Sequence, residues 1–236
     1  MPTLTELAAE HLQIALAPAQ ADAFARYAAL LREWNTRMNL TAITADDEIG
    51  IRHFLDSLTI LRVCPIEADT SFIDVGTGAG FPGLPISIVQ PAARVTLLEA
   101  TGKKVAFLNA VIEALRLEGA RAIKSRAEDA GRLPEHRDRY DIAAARAVAR
   151  LPTLLEYLLP FVRVGGICVA MKGITAQQEA RDSAKALKAL GGEIDRIERF
   201  HLPGIDMPHH LVIIRKVAPT PSQYPRQAGM PAQKPL

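Results

Sequence analysis

The residues best suited to chemistry lie between positions 71 and 83, SFIDVGTGAGFPG, where an apolar run ends in Asp74 and glycines follow at 76, 78, 80 and 83. An apolar run closed by a carboxylate, a glycine-rich turn, and Pro82 and Pro85 opening an apolar helical pattern read as strand, tight turn and helix start. Gly76, Gly78 and Gly80, at alternate positions, strip every Cβ from one face of the turn. A ligand can then lie against the backbone and meet the N–H groups of the following helix. Gly78, Gly80 and Gly83 also satisfy the dinucleotide pattern G-x-G-x-x-G, so the flanks have to separate two ligand classes. Asp74 repels a pyrophosphate but favours the ammonium and sulfonium of S-adenosylmethionine, directly or through water. Glu99 closes the next apolar run, VTLLE, where a carboxylate accepts hydrogen bonds from both ribose hydroxyls. The methyl donor is therefore favoured over a nicotinamide cofactor.

The elements that must position these residues follow in alternation. Strands are expected over 71–75, 94–99, 120–125, 140–146 and 166–172, with helices over 82–90, 102–117, 151–162 and 175–190 between them. Two further apolar stretches, 193–201 and 210–217, joined by HLPGIDMPHH, read as an antiparallel hairpin. This is an α/β fold with a doubly wound sheet, and the crossover rule puts the glycine turn and Glu99 at the carboxyl ends of adjacent strands. Ahead of it, residues 3–16 and 20–38 carry apolar side chains at helical spacing, including Tyr27 and Trp34, with Trp34 read as core rather than as a base-stacking platform. A third helix is expected over the ADDEIGIRHFLDSLTILRV segment. His53 and Asp56 lie three apart there and can share a helix side and hydrogen-bond, as a packing pair or in a substrate-side role. The expected organisation is a helical cap over 1–65, a cofactor-binding domain over 66–217 and a proline-rich tail over 218–236, disordered or draped on the surface.

Composition bounds the class without naming it. With 236 residues, 49% of them hydrophobic and 23% charged, the chain is long enough for one large α/β domain with an appendage. No stretch reaches a membrane span and the first residues carry Glu6 and Glu10, so a cytoplasmic protein without membrane contact is expected. Cys64 and Cys168 lack the spacing of a zinc site or a disulfide framework, so no metal is expected. The formal charge of +2 is uneven: residues 1–93 hold five basic and eleven acidic side chains, residues 94–172 fourteen and nine. That is a modest electrostatic footprint for nucleic acid, and composition alone does not point to RNA.

FIDVGTGAGFPG, with WNTRMNLTAIT at 34–44, RHFLDSL at 52–58, SRAED at 125–129 and ARAVA at 145–149, resembles the bacterial small-subunit ribosomal RNA methyltransferase G family, also called glucose-inhibited division protein B. The resemblance spans roughly residues 20–217. It implies the class I S-adenosylmethionine-dependent fold, with a seven-stranded, mostly parallel, Rossmann-like sheet, and methylation of one guanine N7 in the decoding region of 16S rRNA. S-adenosyl-L-methionine is the implied cofactor, and S-adenosyl-L-homocysteine the product. The implied partner is 16S rRNA or a small-subunit assembly particle, and the enzyme is expected to be a monomer. The resemblance assigns Gly76 and Phe81 to the cofactor, Ala127 and Glu128 to its adenine, and places Arg52, His53 and Asp56 beside the cofactor entrance.

Arg146, at the end of the fourth strand, separates reaction types. An exocyclic-amine methylase usually carries Asn/Asp-Pro-Pro-aromatic there, and this chain has Arg-Ala-Val-Ala. A cytosine-C5 enzyme needs a thiolate and a ribose methylase a base, usually Lys beside Asp, and that loop offers neither Cys nor Asp. What remains is a nucleophile that needs no deprotonation, and guanine N7 has a free in-plane lone pair. Arg146 is the first candidate for contact with cofactor, guanine or both. Its role is positioning, with no general base expected. Arg150 and Lys172 are weaker candidates for phosphate contacts.

Overall fold

The structure, a computed structural model, describes residues 2–236. Seven strands form one sheet: β1 Ser71–Val75, β2 Arg94–Glu99, β3 Ala120–Lys124, β4 Tyr140–Arg146, β5 Val162–Lys172, β6 Gly192–Phe200 and β7 His209–Lys216. Their order is β3-β2-β1-β4-β5-β7-β6, with β1 to β5 parallel and β7 antiparallel to both its neighbours. The order reverses beside β1, so the carboxyl ends of β1 and β4 flank the crevice in which such sheets bind ligands.

Both faces of the sheet are covered, which explains why β4 reads as a continuous apolar run rather than an alternation. Ile142 and Ala144 point into one apolar layer, Ala143 and Ala145 into the other. The first layer also holds Phe72, Leu97, Val169 and Ile213, packed against the Gly83–Val89 and Gly102–Leu115 helices. The N-terminal helices bury Phe24, Tyr27, Leu31 and Phe54 in this same layer. The second layer is closed by the Leu151–Leu158, Ala176–Asp182 and Ala184–Leu190 helices.

Three local differences from the expected elements have chemical causes. The first helix stops at Leu12, where Gln13 adopts a left-handed conformation; Pro18 then opens the long Pro18–Asn35 helix. The segment expected as one helix before β1 widens to a π-helical turn over Gly50–Leu55, within which the Arg52 carbonyl and the His53 ring meet Arg146 at the end of β4. The expected 175–190 helix breaks at Ser183, whose buried hydroxyl donates to the Glu179 carbonyl at 2.7 Å and competes with the backbone ladder.

The tail is draped, and its order comes from polar contacts. Arg137 donates to the Thr220 and Tyr224 carbonyls at 2.6 and 2.7 Å, and Arg132 to that of Pro225 at 2.9 Å. Arg226 forms a bidentate pair with Glu156, a fully buried carboxylate on the Leu151–Leu158 helix, and the Arg226 N–H donates to the same group at 2.7 Å. Disorder, the other outcome expected of this composition, is not what the structure has. Among the described residues no helix is long and apolar enough to cross a membrane.

Candidate active site

The glycine turn after β1 is held from below by one carboxylate oxygen. Asp74 Oδ2 accepts the Thr77 hydroxyl at 2.6 Å and the Gly83 N–H at 2.7 Å, tying strand end to helix start. Its other oxygen, Oδ1, is buried and has no partner among the described residues. Burial pushes the Asp74 carboxyl up to about 7, against the pull of Thr77, Gly83 and Arg146. An orphaned buried acceptor costs on the order of 1–3 kcal/mol unless a ligand donor meets it. The ammonium of S-adenosylmethionine is such a donor.

Backbone geometry agrees with that fit. Gly78 has a left-handed backbone, and a Cβ placed on it meets only the Gly76 carbonyl, at 4.0 Å, so this face of the turn is open. Gly80 is closed from behind: a Cβ there would sit 2.6 Å from the hydroxyl of Tyr27, which itself donates to the Ala79 carbonyl. Glu99 at the end of β2 supports the turn as well, accepting the Gly78 N–H at Oε2 and the Thr101 N–H at Oε1, at 3.1 and 2.8 Å. A carboxylate has about four lone-pair positions, so two backbone donors leave room for ribose hydroxyls.

Arg146, at the carboxyl end of β4, faces the turn from the other side of the crevice. Its Nη1 donates to the Arg52 carbonyl at 2.9 Å and to Asp56 Oδ2 at 3.1 Å, and its Nη2 meets His53 Nδ1 at 3.1 Å. The guanidinium carbon lies 4.8 Å from the centre of the Phe81 ring. His53 stacks on Phe81 at 4.4 Å, and Tyr27 at 5.5 Å. Burial, then the neighbouring Arg146, push the His53 imidazole down to about 4. The ring is therefore neutral near pH 7, with Nδ1 facing Arg146 Nη2 and, at 3.2 Å, the Arg52 carbonyl, and Nε2 lying 2.8 Å from the Thr41 hydroxyl. His53 and Asp56 share a side as the sequence suggests, yet they meet through Arg146 rather than directly.

A family model described as rRNA small subunit methyltransferase G matches residues 20–211. A protein of that name from Acetivibrio thermocellus is 50% identical over 92% of this chain and 89% of its own length. Another, from Pelotomaculum thermopropionicum, is 47% identical over 97% and 95%. The chain belongs to the rRNA small subunit methyltransferase G family. Solved structures share the class I methyltransferase fold at low identity. Fibrillarin from Aeropyrum pernix, bound to S-adenosyl-L-methionine, superposes with a TM-score of 0.54 at 18% identity over 69% of this chain and 74% of its own. TrmN from Thermus thermophilus gives 0.53 at 16% over 71% and 53%.

In this methyltransferase G chain several side chains named from sequence are engaged differently from expectation. Glu128, expected at the adenine, is buried with Oε1 accepting the Gly229 N–H of the tail at 2.8 Å. Phe81, expected as a cofactor wall, is sandwiched between Tyr27 and His53. Lys172, expected near phosphate, is buried, pairing with Glu179 at 2.9 Å and donating to the Ala149 carbonyl. Arg150 is exposed and pairs with Asp182, and the Arg52 side chain with Glu48. Cys64 and Cys168 are buried thiols, pushed up to about 12, unfit as nucleophiles.

The sequence reading did not single out Thr41, His209 and His210 for the site. His209 Nδ1 lies 2.9 Å from Asp56 Oδ1, and His210 Nδ1 3.0 Å from the Gly173 carbonyl. A pair of histidines opening the last strand was the available signal. The pairing of Lys172 with His210 across β5 and β7 is what brings it to the crevice.

Proposed function

We propose that the protein methylates N7 of one guanine in 16S rRNA, as free rRNA or within a small-subunit particle, using S-adenosyl-L-methionine. The cofactor supplies a methyl group made electrophilic by the sulfonium sulfur. Asp74 Oδ1 offers the unpaired acceptor for its ammonium, Glu99 the acceptor for the ribose hydroxyls, and the Ala127 and Glu128 backbone the polar edge for adenine. Gly78 presents bare backbone between them, while Gly76 and Gly80 have room for no Cβ because Val148 and the Tyr27 and Leu84 side chains pack against them.

The observation that carries the N7 reading is the state of the two side chains in contact with Arg146: His53 and Asp56 are both engaged, and neither is free to take a proton. His53 is held neutral with both ring nitrogens engaged, Asp56 is shared by Arg146 and His209, and Lys172 is paired with Glu179. Guanine N7 needs no proton acceptor. Its lone pair forms the bond to the methyl carbon as the carbon–sulfur bond breaks, and the positive charge passes from sulfur to the purine. Catalysis then rests on alignment. Arg146 spends three of its five donors on the protein, which leaves two for the cofactor or for guanine O6.

The reading is tested by incubating unmethylated small subunits with the enzyme and methyl-labelled cofactor, then digesting the rRNA to nucleosides for mass spectrometry. The label is expected as 7-methylguanosine at a single site. Label on an exocyclic amine or a ribose hydroxyl would overturn it.

A further inference from the structure

Asp56 holds two side chains. Its Oδ2 takes Arg146, and its Oδ1 lies 2.9 Å from Nδ1 of His209, the first residue of β7. The carboxylate is 4% exposed, so both contacts lie in a largely desolvated setting. With Nδ1 directed at Asp56, Nε2 is the nitrogen of the His209 ring not engaged by the carboxylate, and in the neutral ring it is an acceptor. His209 lines a cavity of about 420 Å³ together with His53, Asp56, Arg146, Ala147 and Gly173. That volume lies within the range of small-ligand sites.

The segments that line this cavity also carry exposed apolar side chains. Val148 follows Ala147, Ile174 follows Gly173 and Met207 lies two residues before His209; they are 37, 63 and 53% exposed. The cavity itself is lined by Ile43, Met171 and Leu211 as well as by the polar groups, and such a mixed lining suits a flat base that leaves water on entering.

We propose that this cavity seats the guanine turned out of the RNA, and that His209, oriented by Asp56, is its specificity-determining residue, accepting the base N1–H at Nε2. The inference rests on the guanine-N7 reading above. N1 and N7 lie on different edges of the purine, so a base gripped at N1 keeps N7 free for the methyl group. Adenine carries a lone pair at N1. It would face the Nε2 lone pair and leave both acceptors unpaired, the kind of mismatch that polar sites reject strongly. The contact also acts in the right direction along the reaction. As the N7–carbon bond forms, positive charge spreads over the purine, N1–H becomes a better donor, and the bond to His209 strengthens toward the transition state.

The test uses small subunits reconstituted with guanine, inosine or adenine at the target position, and single-turnover methyl transfer at saturating S-adenosyl-L-methionine. Inosine retains N1–H, so the wild type should methylate guanine and inosine at comparable rates and adenine at least about tenfold more slowly. His209→Asn keeps a donor for Asp56 but places nothing at Nε2. It should lower the guanine-to-adenine ratio at least about tenfold, with cofactor affinity unchanged by calorimetry. His209→Ala should lower the ratio to the same extent. The ratio is read within one preparation, so a loss of folded protein cancels from it. A wild-type ratio retained in both variants, or inosine rejected as strongly as adenine by the wild type, overturns the proposal. Wild-type enzyme that leaves no label on guanine N7 overturns the underlying reading itself, and that result is visible before any variant is compared.

Discussion

Arg146 Nη1 lies 3.1 Å from Asp56 Oδ2, and this ion pair joins the end of the central strand β4 to the helical segment that precedes the sheet. Both partners are largely buried, their side chains 17 and 5% exposed. Removing one partner of a buried pair strands the other charge, at a cost of about 3–5 kcal/mol. Asp56→Ala should therefore destabilise the fold by about that amount in urea titration. Arg146→Lys keeps the charge but cannot serve the Arg52 carbonyl, Asp56 and His53 at once. It should lose much more methyl transfer than stability, and wild-type turnover in that variant would make Arg146 purely structural.

Gly78 faces open space and has a left-handed backbone. Gly78→Val adds backbone strain of about 1–3 kcal/mol and fills the face on which the cofactor is expected to lie. Calorimetry should show S-adenosyl-L-methionine binding lost while circular dichroism is retained. Undiminished binding would remove the turn from the site.

Most of the fold was legible. Asp74 and Glu99 close apolar runs, the glycines mark a turn, and the β4 and β5 runs read as strands, although β5 begins at Val162, inside the stretch expected as helix. What escaped was where side-chain polarity finds its partners across the chain. Glu156 sits among the apolar residues of the Leu151–Leu158 helix, and nothing local indicates that Arg226 neutralises it from seventy residues away. The tail was weighed by its apolar anchors, whereas carbonyls and one guanidinium hold it. Lys172 and Glu128 misled for the same reason: their positions were readable and their partners were not.

Truncation after Val217 consequently becomes a stability experiment. It leaves Glu156 buried without a cation and Glu128 without the Gly229 N–H, so the shortened chain should be less stable by about 3–5 kcal/mol. Glu156→Gln in the truncated chain should recover part of that loss. A truncated protein that unfolds at the same urea concentration as the full chain would contradict this account of the tail.

Two buried groups give stability a pH dependence of opposite sign. His53 has its pKa lowered to about 4, so its contribution is present above the unfolded value of about 6.5 and is lost as pH falls through the folded one. Asp74, raised to about 7, contributes below the unfolded carboxylate range and loses that contribution as pH rises toward 7. His53→Gln removes only the first. Its stability at pH 5 relative to pH 7.5 should exceed the wild-type difference by about 1–2 kcal/mol, read by urea unfolding at the two values. An unchanged difference would mean that His53 is not buried as a neutral ring. Cofactor affinity should rise with pH through about 7 as Asp74 ionises, and lose that dependence in Asp74→Asn.

The central claim is that methyl transfer here needs alignment and no proton acceptor. Its most direct measurement is the pH dependence of single-turnover methyl transfer to small subunits, with cofactor saturating so that Asp74 ionisation does not limit the rate. His53 is already neutral well below pH 6 and guanine N7 is unprotonated, so the wild-type rate should be nearly flat between about pH 6 and 8. His53→Gln should lower the rate without changing that shape. A wild-type rate that rises about tenfold per pH unit below pH ~6.5, with the slope abolished in His53→Gln, would contradict the account and make His53 a base.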